Sequence, residues 1–238
     1  MVEQPTAETL SGVEFFRGLS RDDRQALASR CHAHRYAAKQ QIVSHADEST
    51  DVYFIVSGHA RVTIYSVSGK EVTFRDLGAG EMFGDLAAID GKPRSATVVT
   101  LTDSFIVSMP ADVFRDVLRD YPSVGMAALQ ELTGLVRILC ERVVELSTLG
   151  VKNRIHAELL RLAQKNMKDN NTAVISPAPT HADIAHRVST HREAVTRELN
   201  HLTNIGLLGR SSGILVINDV AELRRMVEEV LGDKIAVA

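Results

Sequence analysis

The sequence predicts an α+β protein in which an all-β unit, a long helix and a C-terminal helix-turn-helix follow one another. Three observations carry this. Apolar residues alternate with polar ones between residues 41 and 109, and Gly58, Gly69, Gly78 and Gly80 punctuate the runs as turns of a β-sandwich or barrel would. Gly125, Leu129, Leu132, Val136, Leu139, Val143 and Leu146 then repeat with alternating spacings of four and three. After Thr180, two short helical patterns flank a tight turn.

Taken in order, residues 5–38 carry short helical patterns, with Leu10, Val13, Phe16 and Leu19 spaced for one face and Ser20 placed to cap a helix leading to Leu27. This is a helical preface. Val52–Val56, Ala60–Tyr65 and Val72–Phe74 follow as strands, with Ser68-Gly69-Lys70 reading as a hairpin turn. Ala96–Thr100 and Ser104–Met109 add two more strands. Pro110-Ala111-Asp112 starts a helix with Asp112 as its cap, and a break at Tyr121 precedes the long helix running to about Leu149. Its apolar seam is narrow and flanked by Arg137, Glu141, Arg142 and Glu145, which favours a two-stranded coiled coil and hence a homodimer; a helix lying on its own domain is the alternative. Gly150 interrupts the pattern and is a candidate hinge, and a polar, turn-rich segment covers residues 168–179. The boundaries expected are therefore 1–110, 111–149 and 150–238.

Composition narrows the function. Across 238 residues, 45% are hydrophobic and 24% charged, with no Trp and a net charge of −3, as in ordinary globular proteins. A charge of this size neither advertises nor excludes nucleic-acid binding, because local charge decides it. The two cysteines, Cys31 and Cys140, fit no metal or disulfide framework, so a reducing cytoplasm is the simplest setting. They are too few for a four-thiolate iron–sulfur cluster. His32, His34 and His45 form no ligand-like constellation, and no metal is expected. Neither a signal peptide nor an apolar run long enough to span a membrane is evident. No nucleophile–base pair suggests an enzyme.

Two stretches carry chemistry. In the segment from Phe83 to Thr97, Gly84 lets the backbone approach something closely, and Asp85–Ile89 can form one helical turn whose free N–H groups suit an anion. Pro93 then presents Arg94 and Ser95, a charged fork and a hydroxyl. The set suits one phosphate, with Asp85 accepting from a sugar hydroxyl; a surface loop with Arg94 paired to Asp85 or Asp90 is the plainer alternative. Further on, Thr180 caps a helix with Ile184, Ala185 and Val188; Ser189-Thr190-His191 makes the turn; and the second helix runs from about His191 to Thr203. That helix exposes Arg192, Glu193, Thr196 and Arg197 at its start, where side chains reach base edges in a major groove. Arg pairs with guanine O6 and N7, Glu accepts from cytosine N4, and Thr196 suits a phosphate. Arg210-Ser211-Ser212-Gly213 and the strand Ile214–Ile217 add a wing. From His181 to Arg210 four arginines face three carboxylates, so affinity should lean on dimerisation as well as on charge. A protein-interaction domain with solvated charges is the alternative.

From about Phe15 to Asn218, the chain resembles the cyclic-AMP receptor protein (CRP/FNR) family of bacterial transcription regulators. Its most specific parts are Phe83-Gly84-Asp85-Leu86-Ala87 with Pro93-Arg94-Ser95-Ala96, and Arg192-Glu193-Ala194-Val195-Thr196-Arg197. The resemblance implies a β-roll (jelly-roll) cyclic-nucleotide-binding domain, a long dimerisation helix and a winged helix-turn-helix. It implies a cyclic-nucleotide site of Gly84, Asp85, Leu86, Ala87, Arg94 and Ser95, with Asp85 on the ribose 2′-hydroxyl and Arg94 and Ser95 on the phosphate. Leu139 and Cys140 stand where a hydroxylic pair would hold the adenine of cAMP, which makes cGMP a competitor. Thr180, His191, Arg192, Glu193, Thr196, Arg197 and Arg210 would contact DNA, reading a palindromic TGTGA-type operator. Two further departures matter. Asp85 replaces the usual Glu and is one methylene shorter, and Ser189 replaces a turn glycine, so a positive φ is expected to strain it. RNA polymerase is an implied partner. The rivals are a constitutive, haem- or redox-responsive member of the same fold, and a cyclic-nucleotide module that does not act on DNA.

Overall fold

A computed structural model describes residues 2–65, 71–168, 170–211 and 213–231. The chain divides into two compact units, Met1–Val136 and Arg137–Ala238. The proposed hairpin turn Ser68-Gly69-Lys70 lies outside the described residues.

The first unit begins with β1 (Val2–Glu3), α1 (Ala7–Ser11), a 3-10 turn over Glu14–Phe16 and α2 (Arg21–Ala28). Ser20 caps α2, its side chain accepting from the Asp23 N–H at 3.1 Å. Leu10, Val13, Phe16 and Leu19 are all buried, so the preface packs as its spacing requires. The strands are β2 (His32–Tyr36), β3 (Gln41–Val43), β4 (Val52–Ser57), β5 (Ala60–Tyr65), β6 (Glu71–Leu77), β7 (Met82–Phe83), β8 (Thr97–Thr100) and β9 (Ser104–Met109), with α3 (Asp85–Asp90) between β7 and β8. They form two antiparallel sheets, β1-β2-β9-β4-β7 and β3-β8-β5-β6. Val43, Ile55, Ala60, Leu77, Phe83, Val98 and Ile106 make one core cluster, and a second joins the preface to Phe54, Met109 and Phe114. In that cluster the Phe16 and Phe54 rings sit 4.7 Å apart, within the range for aromatic pairs.

In this unit neither β1 nor β2 was expected. β2 lies in the stretch assigned to helical patterns, because only Ala33 of its five residues is fully buried and the period-two signal is weak. α4 (Ala111–Asp120) and α5 (Pro122–Thr148) follow. Asp112 is not the cap of α4: Pro110 holds that position, and Asp112 falls in the first turn, where its charge still favours the helix dipole.

The second unit contains α6 (Val151–Gln164), β10 (Ala173–Ile175), α7 (His181–Arg187), α8 (Arg192–Asn204), β11 (Leu208–Ser211), β12 (Ile214–Ile217) and α9 (Val220–Leu231). Its antiparallel sheet has the order β10-β12-β11. β10 sits in the segment read as turns; three residues are too few to show alternation. Ile155, Leu159, Ile184, Val195, Leu199, Leu202, Leu215 and Leu223 form this unit's core.

Candidate functional site

In the first unit the glycine and arginine of the cassette fit each other. Gly84 has φ +84°, and a Cβ there would lie 2.6 Å from Arg94 Nη1 and 2.7 Å from the Asp51 carbonyl. Only glycine accepts that backbone and that crowding without strain. Arg94 is 3% exposed. Its Nη1 donates to the Gly84 carbonyl at 3.0 Å, Nη2 to the Asp51 carbonyl at 2.7 Å, and Nε to Ser49 Oγ at 3.1 Å. The main chain is held too: the Arg94 N–H donates to the Asp47 carbonyl and the Ala46 N–H to that of Arg94, both at 2.8 Å. The guanidinium also lies 5.6 Å from the centre of the Tyr53 ring. It is therefore held by carbonyls and a hydroxyl, rather than by Asp85 or Asp90 as the plainer reading had it.

The remaining cassette residues divide by exposure. Ser95 is exposed, as is Leu86, while Ala87 is buried at the start of α3. Asp85 is half-buried, and desolvation raises its pKa against its own backbone hydrogen bond and the Arg75 charge. Glu131 on α5 is raised for the same first reason and also senses Arg75 and Asp85. Asp85, Glu131 and Arg75 thus lie within electrostatic reach of one another. The sequence reading missed Arg75 and Glu131, because one looked like a strand residue and the other like a solvated flank of the helix. Leu139 and Cys140 are exposed on α5 and belong to the second unit.

In the second unit the helix-turn-helix is formed as its sequence reads. Thr180 caps α7 reciprocally with Asp183: its side chain accepts from the Asp183 N–H at 3.1 Å, and Asp183 accepts from the Thr180 N–H at 2.9 Å. Ser189 has φ +52°, the left-handed conformation expected there. The Thr190 N–H donates to the Ala185 carbonyl at 3.0 Å and closes the turn. His191, Arg192, Glu193 and Arg197 are exposed at the start of α8, and Arg210 is exposed on β11. Thr196 differs from expectation. Its hydroxyl donates to the Arg192 carbonyl at 3.0 Å and lies 2.6 Å from His181 Nδ1. With its proton on Arg192, Thr196 accepts from His181, so it braces the two helices instead of offering a free hydroxyl to phosphate. His181 was not singled out from the sequence. Desolvation lowers its pKa, and so do Arg210 and Arg192, which gathers positive charge from the wing and from α8 around the start of α7.

Comparison with known proteins agrees with the division into a β domain and a helix-turn-helix domain. A cyclic nucleotide-binding domain model matches residues 33–121, and a Crp-like helix-turn-helix domain model matches residues 153–226. The chain belongs to the CRP/FNR family of transcription regulators. The "cAMP-activated global transcriptional regulator CRP" of Haemophilus influenzae is 27% identical over 190 residues, covering 79% of this chain and 85% of that protein. The "Cyclic AMP receptor protein" of Thermus thermophilus is 26% identical, covering 91% and 98%. Among solved structures, a CooA mutant from Carboxydothermus hydrogenoformans matches with a TM-score of 0.77 at 19% identity, over 95% of this chain and 98% of that one. The family's architecture of β domain, long helix and winged helix-turn-helix is that of this chain. Like its relatives, it is a DNA-binding regulator carrying a cyclic-nucleotide-type domain.

Proposed function

We propose that this regulator is a cytoplasmic homodimer switched by a cyclic nucleotide, cAMP or cGMP, and that it binds a palindromic TGTGA-type operator and works with RNA polymerase. The observation that carries the ligand is the interlock of Gly84 with Arg94. A glycine with positive φ is kept free of a side chain so that a buried guanidinium can cross it, and the exposed Ser95 follows directly in the chain. Arg94 and Ser95 take the cyclic phosphate, and Asp85, reaching less far than Glu, takes the ribose hydroxyl with Arg75 and Glu131 nearby. Leu139 and Cys140 face the base through apolar contact and a thiol, which leaves the choice of purine to other groups. The relatives named for cAMP support the ligand class.

The dimer reading rests on α5. Leu129, Val136, Leu139, Val143 and Leu146 are all exposed, a seam with the heptad spacing of a two-stranded coiled coil. By length and composition α5 also passes for a membrane span, with a mean hydropathy of 1.2 over its most apolar 18 residues. Its apolar side chains nonetheless follow a seam, and Glu131, Arg137, Glu141, Arg142 and Glu145 interrupt the remaining surface. For DNA, Arg192, Glu193 and Arg197 read G, C and G, with His191, Thr180 and Arg210 near the backbone. A ligand acts here only by binding the DNA-competent arrangement better than the other.

One observation favours a second reading. At least three of the five Arg94 N–H donors already have protein acceptors, as suits a pocket that needs no ligand. Isothermal calorimetry with cAMP and with cGMP separates the two. Heat from either supports the switch; none from both at about millimolar nucleotide, where only about 4 kcal/mol of binding is required, favours a constitutive regulator or one tuned to another signal.

A further inference from the structure

The last two turns of α5 are fastened to α6 and α7 by ion pairs. The Glu158 side chain, on α6, is 1% exposed, and guanidinium groups from three helices meet its carboxylate. Arg142 of α5 donates from Nη2 to Oε2 at 3.4 Å. Arg187, at the end of α7, donates from Nη1 to Oε1 at 3.3 Å. Arg161, one turn further along α6, is bonded to Oε2 and reaches back to α5, its Nη2 donating to Glu145 Oε1 at 2.5 Å.

Backbone contacts run in parallel. Arg142 Nη1 donates to the Arg187 carbonyl at 3.2 Å. Arg154 donates from Nε to the Val188 carbonyl and from Nη1 to the Leu149 carbonyl, both at 3.0 Å. The arginines thus serve the C-terminal ends of α5 and α7, where carbonyls lack helical partners and the dipole favours positive charge. Burial lowers the pKa of Arg142 even with Glu158 beside it, and its Nε has no hydrogen-bond partner. Glu158 and the α7 carbonyl therefore compensate its buried charge. In such a set, deleting one member strands the rest.

We propose that Glu158 is a positioning residue that makes the last two turns of α5 and the helix-turn-helix one rigid body, so that a displacement of α5 reaches α8 undiminished. Arg154 extends this tie across the Gly150 junction to the Leu149 carbonyl. The role rests on the ligand-switched reading above for the signal it transmits, and the tie itself is tested separately.

The test uses the full chain as wild type, Glu158→Gln, Glu158→Asp and Arg142→Met, with Arg225→Met on α9 as a surface control. Hydrogen exchange is read in peptides covering 142–149 and 195–203, and affinity for a TGTGA-type duplex is read with and without cAMP or cGMP. In Glu158→Gln and Arg142→Met, protection of 142–149 falls about tenfold or more while 195–203 keeps its own. The affinity gain from nucleotide shrinks about fivefold or more, and Glu158→Asp recovers part of it. Should Glu158→Gln fail to fold, Arg142→Met carries the comparison. Wild-type protection and wild-type gain in the variants overturn the proposal. So does an equal loss of protection in both peptides, which would make Glu158 an ordinary core residue. A wild type that binds DNA with no nucleotide effect overturns the ligand reading instead, and the exchange data still decide the tie.

Discussion

Replacing Gly84 by Ala tests the cassette geometry, and the protein supplies its own control. Gly84 and Gly91 flank α3, both with positive φ, +84° and +70°. A Cβ at Gly91 meets nothing within 4 Å, so Gly91→Ala incurs only the left-handed backbone penalty, about 1–2 kcal/mol. A Cβ at Gly84 meets Arg94 Nη1 at 2.6 Å and the Asp51 carbonyl at 2.7 Å. The Arg94 tip can move; the Asp51 main chain resists, which adds about 1–3 kcal/mol of overpacking. With m near 2 kcal/mol/M, the urea midpoint of Gly84→Ala should fall below that of Gly91→Ala by about 0.5–1.5 M. Circular dichroism reads the midpoint, and calorimetry reads nucleotide binding on the same samples. Gly84→Ala should also lose binding about tenfold or more, because Arg94 is displaced, whereas Gly91→Ala should not. Equal midpoints and equal affinities for the two variants would refute the interlock.

Other outcomes follow from the second unit and from α5. Arg192→Ala should weaken a TGTGA-type duplex by about 1–3 kcal/mol and leave a scrambled duplex nearly unchanged in an anisotropy titration; equal binding of the specific site by variant and wild type would show that α8 is not the reader. Val143 is 64% exposed on the seam, so removing its burial costs about 1–2 kcal/mol per copy and about twice that per dimer. Val143→Glu should accordingly raise the dimer dissociation constant about 30-fold or more in sedimentation, and an unchanged constant would place the interface elsewhere. His156 has 2% of its side chain exposed and Nε2 2.7 Å from Glu198 Oε1. Burial holds its pKa below 6.5, with the Glu198 hydrogen bond and charge opposing. The unfolded chain therefore binds the proton more tightly. The stabilisation is complete above 6.5 and is lost as pH falls through the lower, folded value. His156→Gln should flatten that slope between about pH 7.5 and 5.5, leaving the share of His34 and His181, which shift the same way. A slope equal to that of wild type would contradict it.

Much of this fold was legible because its signals are local. α5 begins at Pro122 and its seam repeats over three heptads, Thr180 and Asp183 cap reciprocally, and the positive φ at Ser189 follows from the turn position it occupies. What stayed hidden depends on partners distant in sequence. β2 joins a sheet by pairing with β9, seventy or so positions along, while presenting mostly polar residues. The motif shows that Arg94 is special, but not that Ser49 and Asp51 already hold it, since nothing in residues 44–51 marks them as its partners. Arg142, Glu158 and Arg187 read as helix-surface charges; only folding brings their three helices around one carboxylate. Thr196 was misjudged for a related reason, because its exposed position in the motif gives no hint of His181 beside it.

The central claim is that a nucleotide held by the β domain changes how the second unit binds DNA. Its most direct test is a fluorescence-anisotropy titration of the full-length protein against a palindromic TGTGA-type duplex, at fixed salt, without nucleotide and with saturating cAMP or cGMP. The account predicts that at least one nucleotide tightens specific binding by about 5–150-fold and leaves a scrambled duplex unaffected. Superimposable curves in all three conditions would contradict it.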